Sequence, residues 1–229
     1  MKEQFNIHYW GPLLFKMKMK TGDVKAVRKI CDGATEKFNT QLAGIIDDEV
    51  IIDKIKYIEI IHPYLVAYKQ AYKLWYNKII DKITVNSAWV NYMKKGECNP
   101  PHVHDDCHLS SVLLLQVPET LKKEQKDWKG NGMGPGVLSF STGNPHAFHT
   151  NSFEFKPEAG DFFMFPWNLT HSVSTYKSDV RRISVAANFS LEEKDFLEEA
   201  EKEKKELEES YQEAKRQTEE RRSKEWIKG

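Results

Sequence analysis

The sequence is most informative at first in what it lacks. No apolar run approaches the roughly 20 residues that span a bilayer, so no transmembrane helix is expected. The opening Met1-Lys2-Glu3-Gln4-Phe5-Asn6 lacks the unbroken apolar stretch of a secretory signal. Cysteine is scarce and odd in number: Cys31, Cys98 and Cys107 stand at spacings that make neither a disulfide framework nor a Cys-x-x-Cys zinc motif. A reducing, cytoplasmic setting is therefore expected, with no membrane partner. Neither sign of charge is in excess, because Lys+Arg and Asp+Glu are 34 each and the pI is 7.1. That balance supplies no basic field for a nucleic-acid duplex or an anionic lipid surface. From Leu191 to Trp226 glycine and proline are absent altogether.

What is present fits one sizeable domain with an appendage, since 229 residues at 40% hydrophobic content can bury a real core. A strand-like opening over 5–20 is broken by Gly11-Pro12. A helix is expected from Thr21 through about Asn39, with Val24, Val27, Ile30 and Cys31 on one face. Leu42-Ala43-Gly44 ends that unit. Helical spacing returns between Asp48 and Ile80, through Ile51, Ile52, Ile55 and Ile58 and then Leu65, Tyr68, Tyr72 and Trp75, with Pro63 expected to divide or kink it. The aromatic stripe reads as a helix packing on a sheet.

From Ile83 the apolar period becomes two, and short strands follow one another to Phe189. The polar, glycine-rich stretch from Lys122 to Gly136 reads as a loop or lid. Strands after a helical half imply an antiparallel barrel or sandwich with helices outside, an α+β class. Helical support is expected over 21–80, the barrel over about 83–190, and a charged helix over 191–229. Leu197, Ala200, Leu207, Tyr211 and Ala214 fall near heptad positions, with Lys204 interrupting them. The helix is thus either a coiled-coil seam for a second copy or partner, or a solvated helix, and the interruption favours the latter.

Two stretches carry candidate chemistry. In Asn99-Pro100-Pro101-His102-Val103-His104 the prolines hold the chain extended, so that residues two apart point to one face and His102 and His104 can share an ion. A third imidazole must come from His146, His149 or His171. His171 follows the strand and turn Gly160 to Trp167, which would deliver it to a barrel mouth. Eleven positions further, Arg182 sits inside an apolar strand with Ser184 two beyond. A buried guanidinium needs an anion to offset its desolvation, and with a hydroxyl it suits a small carboxylate. Arg181 is expected to face solvent. His108, His146 and His149 read as loop histidines, and His8 and His62 as having no role.

His-x-His, a distant histidine and Arg-x-Ser together resemble the iron(II)- and 2-oxoglutarate-dependent oxygenases. The resemblance is strongest to a group with Pro-Pro-His-x-His followed by Leu-Ser, here Pro100 to His104 and Leu109-Ser110. It covers roughly 85–190, with weaker echoes in Tyr9-Trp10-Gly11-Pro12 and Leu42-Ala43-Gly44. It implies a double-stranded β-helix (jelly-roll) core and a hydroxylase using iron(II), 2-oxoglutarate and O2, with release of succinate and CO2. His102, His104 and His171 would hold the metal, Arg182 and Ser184 the co-substrate carboxylate, and Asn91 would also touch the co-substrate. One departure stands out. His104 occupies the place of the usual carboxylate ligand, so either three histidines serve or the register shifts to His104 with Asp106. Trp89, Trp167 and the 130–136 loop are candidate pocket walls and lid. The rival reading is a non-catalytic, cupin-like interaction protein that docks through its C-terminal helix. The substrate, small molecule or peptidyl, is not legible.

Overall fold

In the computed structural model the chain is described over residues 11–38, 42–144, 151–194 and 204–217. His8, Tyr9, Trp10, His146 and His149 lie outside these. In chain order the elements are β1 (Phe15–Lys18), α1 (Thr21–Asp32), β2 (Glu49–Ile51), α2 (Lys54–Tyr76), β3 (Ile79–Met93), β4 (Asn99–His102) and β5 (Leu109–Gln116). There follow α3 (Glu119–Asp127), β6 (Leu138–Ser141), β7 (Ser152–Phe155), β8 (Asp161–Pro166), β9 (Thr170–Val173) and β10 (Arg182–Lys194), then a helix, α4, over 204–217.

The strands form two antiparallel sheets, ordered β1-β8-β5-β10-β3-β2 and β4-β9-β6-β7. From β3 onward the chain passes back and forth between the sheets, interrupted only by the β6–β7 hairpin. This is the double-sheet wrapping of a jelly-roll. Two cores result. One fills the space between the larger sheet and the helices, from Val27 and Cys31 of α1 and Tyr57, Ile61, Tyr64, Leu65, Tyr68 and Tyr72 of α2. The other lies between the sheets, around Leu114, Leu138, Phe140, Phe163, Phe165 and Val173. β8 serves both, with Phe162 and Met164 facing the helices and Phe163 and Phe165 facing the second sheet.

Several expectations are corrected. α1 stops at Asp32 because Gly33 ends it, well short of Asn39. Residues 49–51 pair with β3 as a strand, and α2 begins only after Asp53, whose carboxylate caps the Ile55 and Lys56 amides. Ile51 therefore belongs to a sheet, and Ile55 is exposed. Pro63 does not divide α2. It lies on the exposed face, and so does Glu59, whose carbonyl it leaves without a helical partner, so water can satisfy that oxygen. Much of the supposed lid is helix α3, which buries Leu121 and Gln125 and offers the Glu124 carboxylate to the Lys177 and Ser178 amides. The expected helix from Leu191 begins later, because β10 stays paired with β3 through Lys194. α4 is exposed at every residue.

A bulge decides which residues face inward. β3 and β10 lose register at Asn86, so the parity of inward residues switches there. Ile83 and Val85 pack toward the helices, and beyond the bulge so do Ala88, Val90 and Tyr92. Ser87, Trp89 and Asn91 then line the interior instead. The Asn86 amide stabilises the irregularity by donating to Asp106 O and Ser190 Oγ.

Candidate metal and co-substrate site

The two sheets enclose a cavity of about 510 Å³. At one side of it three imidazoles converge. His102 ends β4 and lies directly across from His171 of β9. His104, just beyond the strand, is fixed by its amide on Trp167 O. The ligand atoms of His102, His104 and His171 all lie within 4.8 Å of one another. His102 Nδ1 is 2.7 Å from Pro100 O and His171 Nδ1 is 3.0 Å from Leu169 O. A carbonyl can only accept, so each Nδ1 carries the proton and each Nε2 is left with its lone pair. His104 Nε2 is 3.2 Å from His171 Nε2, about the separation of two nitrogens each about 2.1 Å from one ion.

Burial keeps these rings neutral. Desolvation holds His171 down to about 3 and His104 down to about 4, each pushed further by neighbouring imidazoles, and desolvation lowers His102 as well. Phe165 and Phe140 pack against His171, and Trp89 against His104. Neutral nitrogens in a dry wall are the form that binds a divalent transition metal. Among the described residues the group contains no carboxylate. Asp105 and Asp106 are exposed and stand outside it, as do Cys98 and Cys107. His108 instead serves the fold, accepting from the Leu191 amide.

Deeper in the cavity lies Arg182, 2% exposed. Its Nη1 is 3.4 Å from Ser184 Oγ, while Nε and Nη2 have no partner. Burial lowers its pKa only to about 10, so it stays cationic at neutral pH. No carboxylate among the described residues pairs with it. An uncompensated cation so placed costs several kcal/mol, on the order expected for a desolvated ion, unless an anion arrives. Asn91 of β3 stands opposite Ser184 of β10, its Oδ1 buried without a partner. Arg181 turns outward over Tyr92. Three imidazoles together with an unpaired guanidinium and a hydroxyl fit a divalent metal and a dicarboxylic acid.

Residues 87–188 match the sequence profile of a family described as "Putative 2OG-Fe(II) oxygenase". By this match that stretch is similar to the 2OG-Fe(II) oxygenases. Iron(II), 2-oxoglutarate and O2 are that family's cofactor and co-substrates. No curated protein matches the chain. Among solved structures, the carbocyclase SnoK of nogalamycin biosynthesis is 13% identical, at a TM-score of 0.51 over 78% of this chain and 80% of that one. A Trichoplax adhaerens prolyl hydroxylase in complex with a hypoxia inducible factor peptide is 10% identical, at 0.50 over 77% and 83%. The epimerase SnoN of the same nogalamycin pathway is 14% identical, at 0.50 over 77% and 76%. These likenesses concern the fold.

The sequence reading missed Glu49 and Phe38 in the cavity wall, and Trp89 was named there only loosely. β2 carries no strand signal of its own beyond three residues, so nothing marked Glu49 as inward. Trp167 borders a separate surface recess, and the 130–136 loop folds on Trp128, away from the cavity wall.

Proposed function

We propose that this protein is an iron(II)- and 2-oxoglutarate-dependent oxygenase that hydroxylates its substrate, with His102, His104 and His171 as the metal ligands. The observation that carries it is the pairing, in one cavity, of three convergent neutral imidazoles with a buried guanidinium that has no acid of its own. Arg182 and Ser184, with Asn91 beside them, hold the distal carboxylate of 2-oxoglutarate. When bound, iron(II) supplies the oxidation: 2-oxoglutarate and O2 go to succinate and CO2 as one oxygen atom enters a substrate C–H bond.

The chain's own part is positional. Pro100 O and Leu169 O orient His102 and His171 by taking their Nδ1 protons. His104 must carry its proton on Nδ1 to ligate through Nε2. Phe140 and Phe165 exclude water from the His171 side. With three neutral ligands and no carboxylate, the full charge of the ion remains to attract an anionic keto acid. The test is succinate release with iron(II), ascorbate and 2-oxoglutarate across a substrate panel. Metal-dependent succinate formation that His171→Ala abolishes is expected. An absence of both succinate and metal-dependent 2-oxoglutarate binding would overturn the reading.

A further inference from the structure

The cavity holds a second unpaired ionisable group. Glu49 is 1% exposed, lines the same cavity as the histidines and Arg182, and has its Oε2 buried without a hydrogen-bond partner. It reaches this place by register. Glu49 of β2 stands opposite Asn91 of β3, which stands opposite Ser184 of β10. The three form one polar row across the inner face of the sheet. Strands lie about 4.8 Å apart, so Glu49 is about 10 Å from the Arg182–Ser184 end. No ion pair joins the two, since Glu49 Oε2 and Arg182 Nε and Nη2 are all without partners. No Lys or Arg among the described residues pairs with Glu49.

Two amide oxygens stand beside the Glu49 carboxyl. Asn91 Oδ1 is its unpartnered neighbour in the row. Asn99 Oδ1 crowds the same spot, since a methyl at Gly44 would stand 2.5 Å from it and 3.0 Å from Glu49 Oε1. Burial, and after it the negative charge of Glu97, raises Glu49 to about 7. The flanking walls are aromatic. Phe38 is bonded through its amide to Glu49 O, and its ring lies 5.6 Å from that of Trp89. Both rings line the cavity, and Trp89 in turn contacts His104. A buried acid with an oxygen left unpartnered, no cationic side chain paired to it and aromatic rings for walls, is the chemistry that selects an organic cation.

We propose that Glu49, Phe38 and Trp89 form the recognition subsite for a cationic group of the substrate, a primary ammonium or a guanidinium. The subsite deepens the oxygenase reading and rests on it for the role of that cation as substrate. One carboxylate-seeking and one cation-seeking end thus divide the cavity between co-substrate and substrate. A cation seated on Glu49 stands beside the Trp89 ring that borders His104, so the carbons next to it face the oxidising centre.

The test uses the full chain without iron or 2-oxoglutarate, and ligand-observed NMR titration of butylammonium, butylguanidinium and butanol. At least one cation should bind about tenfold or more tighter than butanol. Glu49→Gln should erase that preference, and Phe38→Leu should narrow it while leaving butanol unchanged. Equal binding of both cations and butanol by the unaltered protein would overturn the proposal without recourse to any variant. So would a preference that survives in folded Glu49→Gln. A parallel 2-oxoglutarate titration in the presence of iron(II) separates the two readings. Loss of cation preference with intact 2-oxoglutarate binding removes only the subsite, and the converse removes only the oxygenase assignment.

Discussion

β10 shows on one strand how differently the two faces of the larger sheet are used. Ile183, Val185, Ala187 and Phe189 point to the helices and are sealed in an apolar core. Arg182, Ser184, Ala186 and Asn188, alternating with them, point into the cavity. The outer set packs on the aromatic rings of α2, where the unpartnered groups are neutral hydroxyls, those of Tyr57 and Tyr68. The inner face instead leaves ionisable and amide groups buried without partners, namely Arg182 Nε and Nη2, Asn91 Oδ1 and Glu49 Oε2. Buried charged groups are paired in the great majority of cases, so unpaired ones in a row along a cavity wall mark where a ligand completes the structure. The outer face therefore supplies stability, and the inner face gives some of it up for binding.

That contrast can be broken at four places, in falling order of effect. Phe189→Ala opens a cavity in the outer core and should cost about 3–5 kcal/mol, read as a lowered denaturant midpoint. If the site assignment holds, Arg182→Met should weaken 2-oxoglutarate binding by about 2–5 kcal/mol in calorimetry. Its stability should change little or rise, because the mutation removes an uncompensated charge. Glu49→Gln should raise stability at pH 8 by roughly 1–3 kcal/mol. The sign follows from the raised folded-state pKa. Below about pH 4.5 the acid is protonated in both states and the variant gains nothing; its advantage grows up to about 7, where the folded group titrates, and is then constant. Chemical denaturation across that range checks it. Leu207→Ser with Tyr211→Ser, on the exposed face of α4, should shift stability by less than about 0.5 kcal/mol. If 191–226 docks a partner or a second copy, the same pair should abolish association in sedimentation.

The parts of this molecule legible in the sequence are those with a local signal. Pro100-Pro101 dictates an extended approach to His102, and Leu109–Gln116 is apolar enough to be nothing but a buried strand. The alternation around Arg182 and Ser184 announced an inward polar row. What stayed hidden depends on contacts distant in sequence. Ile83, Val85, Ser87 and Trp89 look like one face, yet the bulge at Asn86, held by Asp106 and Ser190, turns the last two inward. β2 is too short to show a period, and only its pairing with β3 brings Glu49 opposite Asn91. α3 buries just two residues, so its helical face has almost no apolar pattern. The strand character of 191–194 was masked by charged side chains that suit a helix equally well.

The central claim is that the imidazole cluster and the buried guanidinium act as one site. Anaerobic calorimetric titration of 2-oxoglutarate, with and without iron(II), into the unaltered protein and Arg182→Ala tests it most directly. The account predicts that iron(II) tightens 2-oxoglutarate binding in the unaltered protein, and that Arg182→Ala loses the co-substrate while still binding the metal. Binding of 2-oxoglutarate that ignores iron, or that survives unchanged in Arg182→Ala, would contradict it.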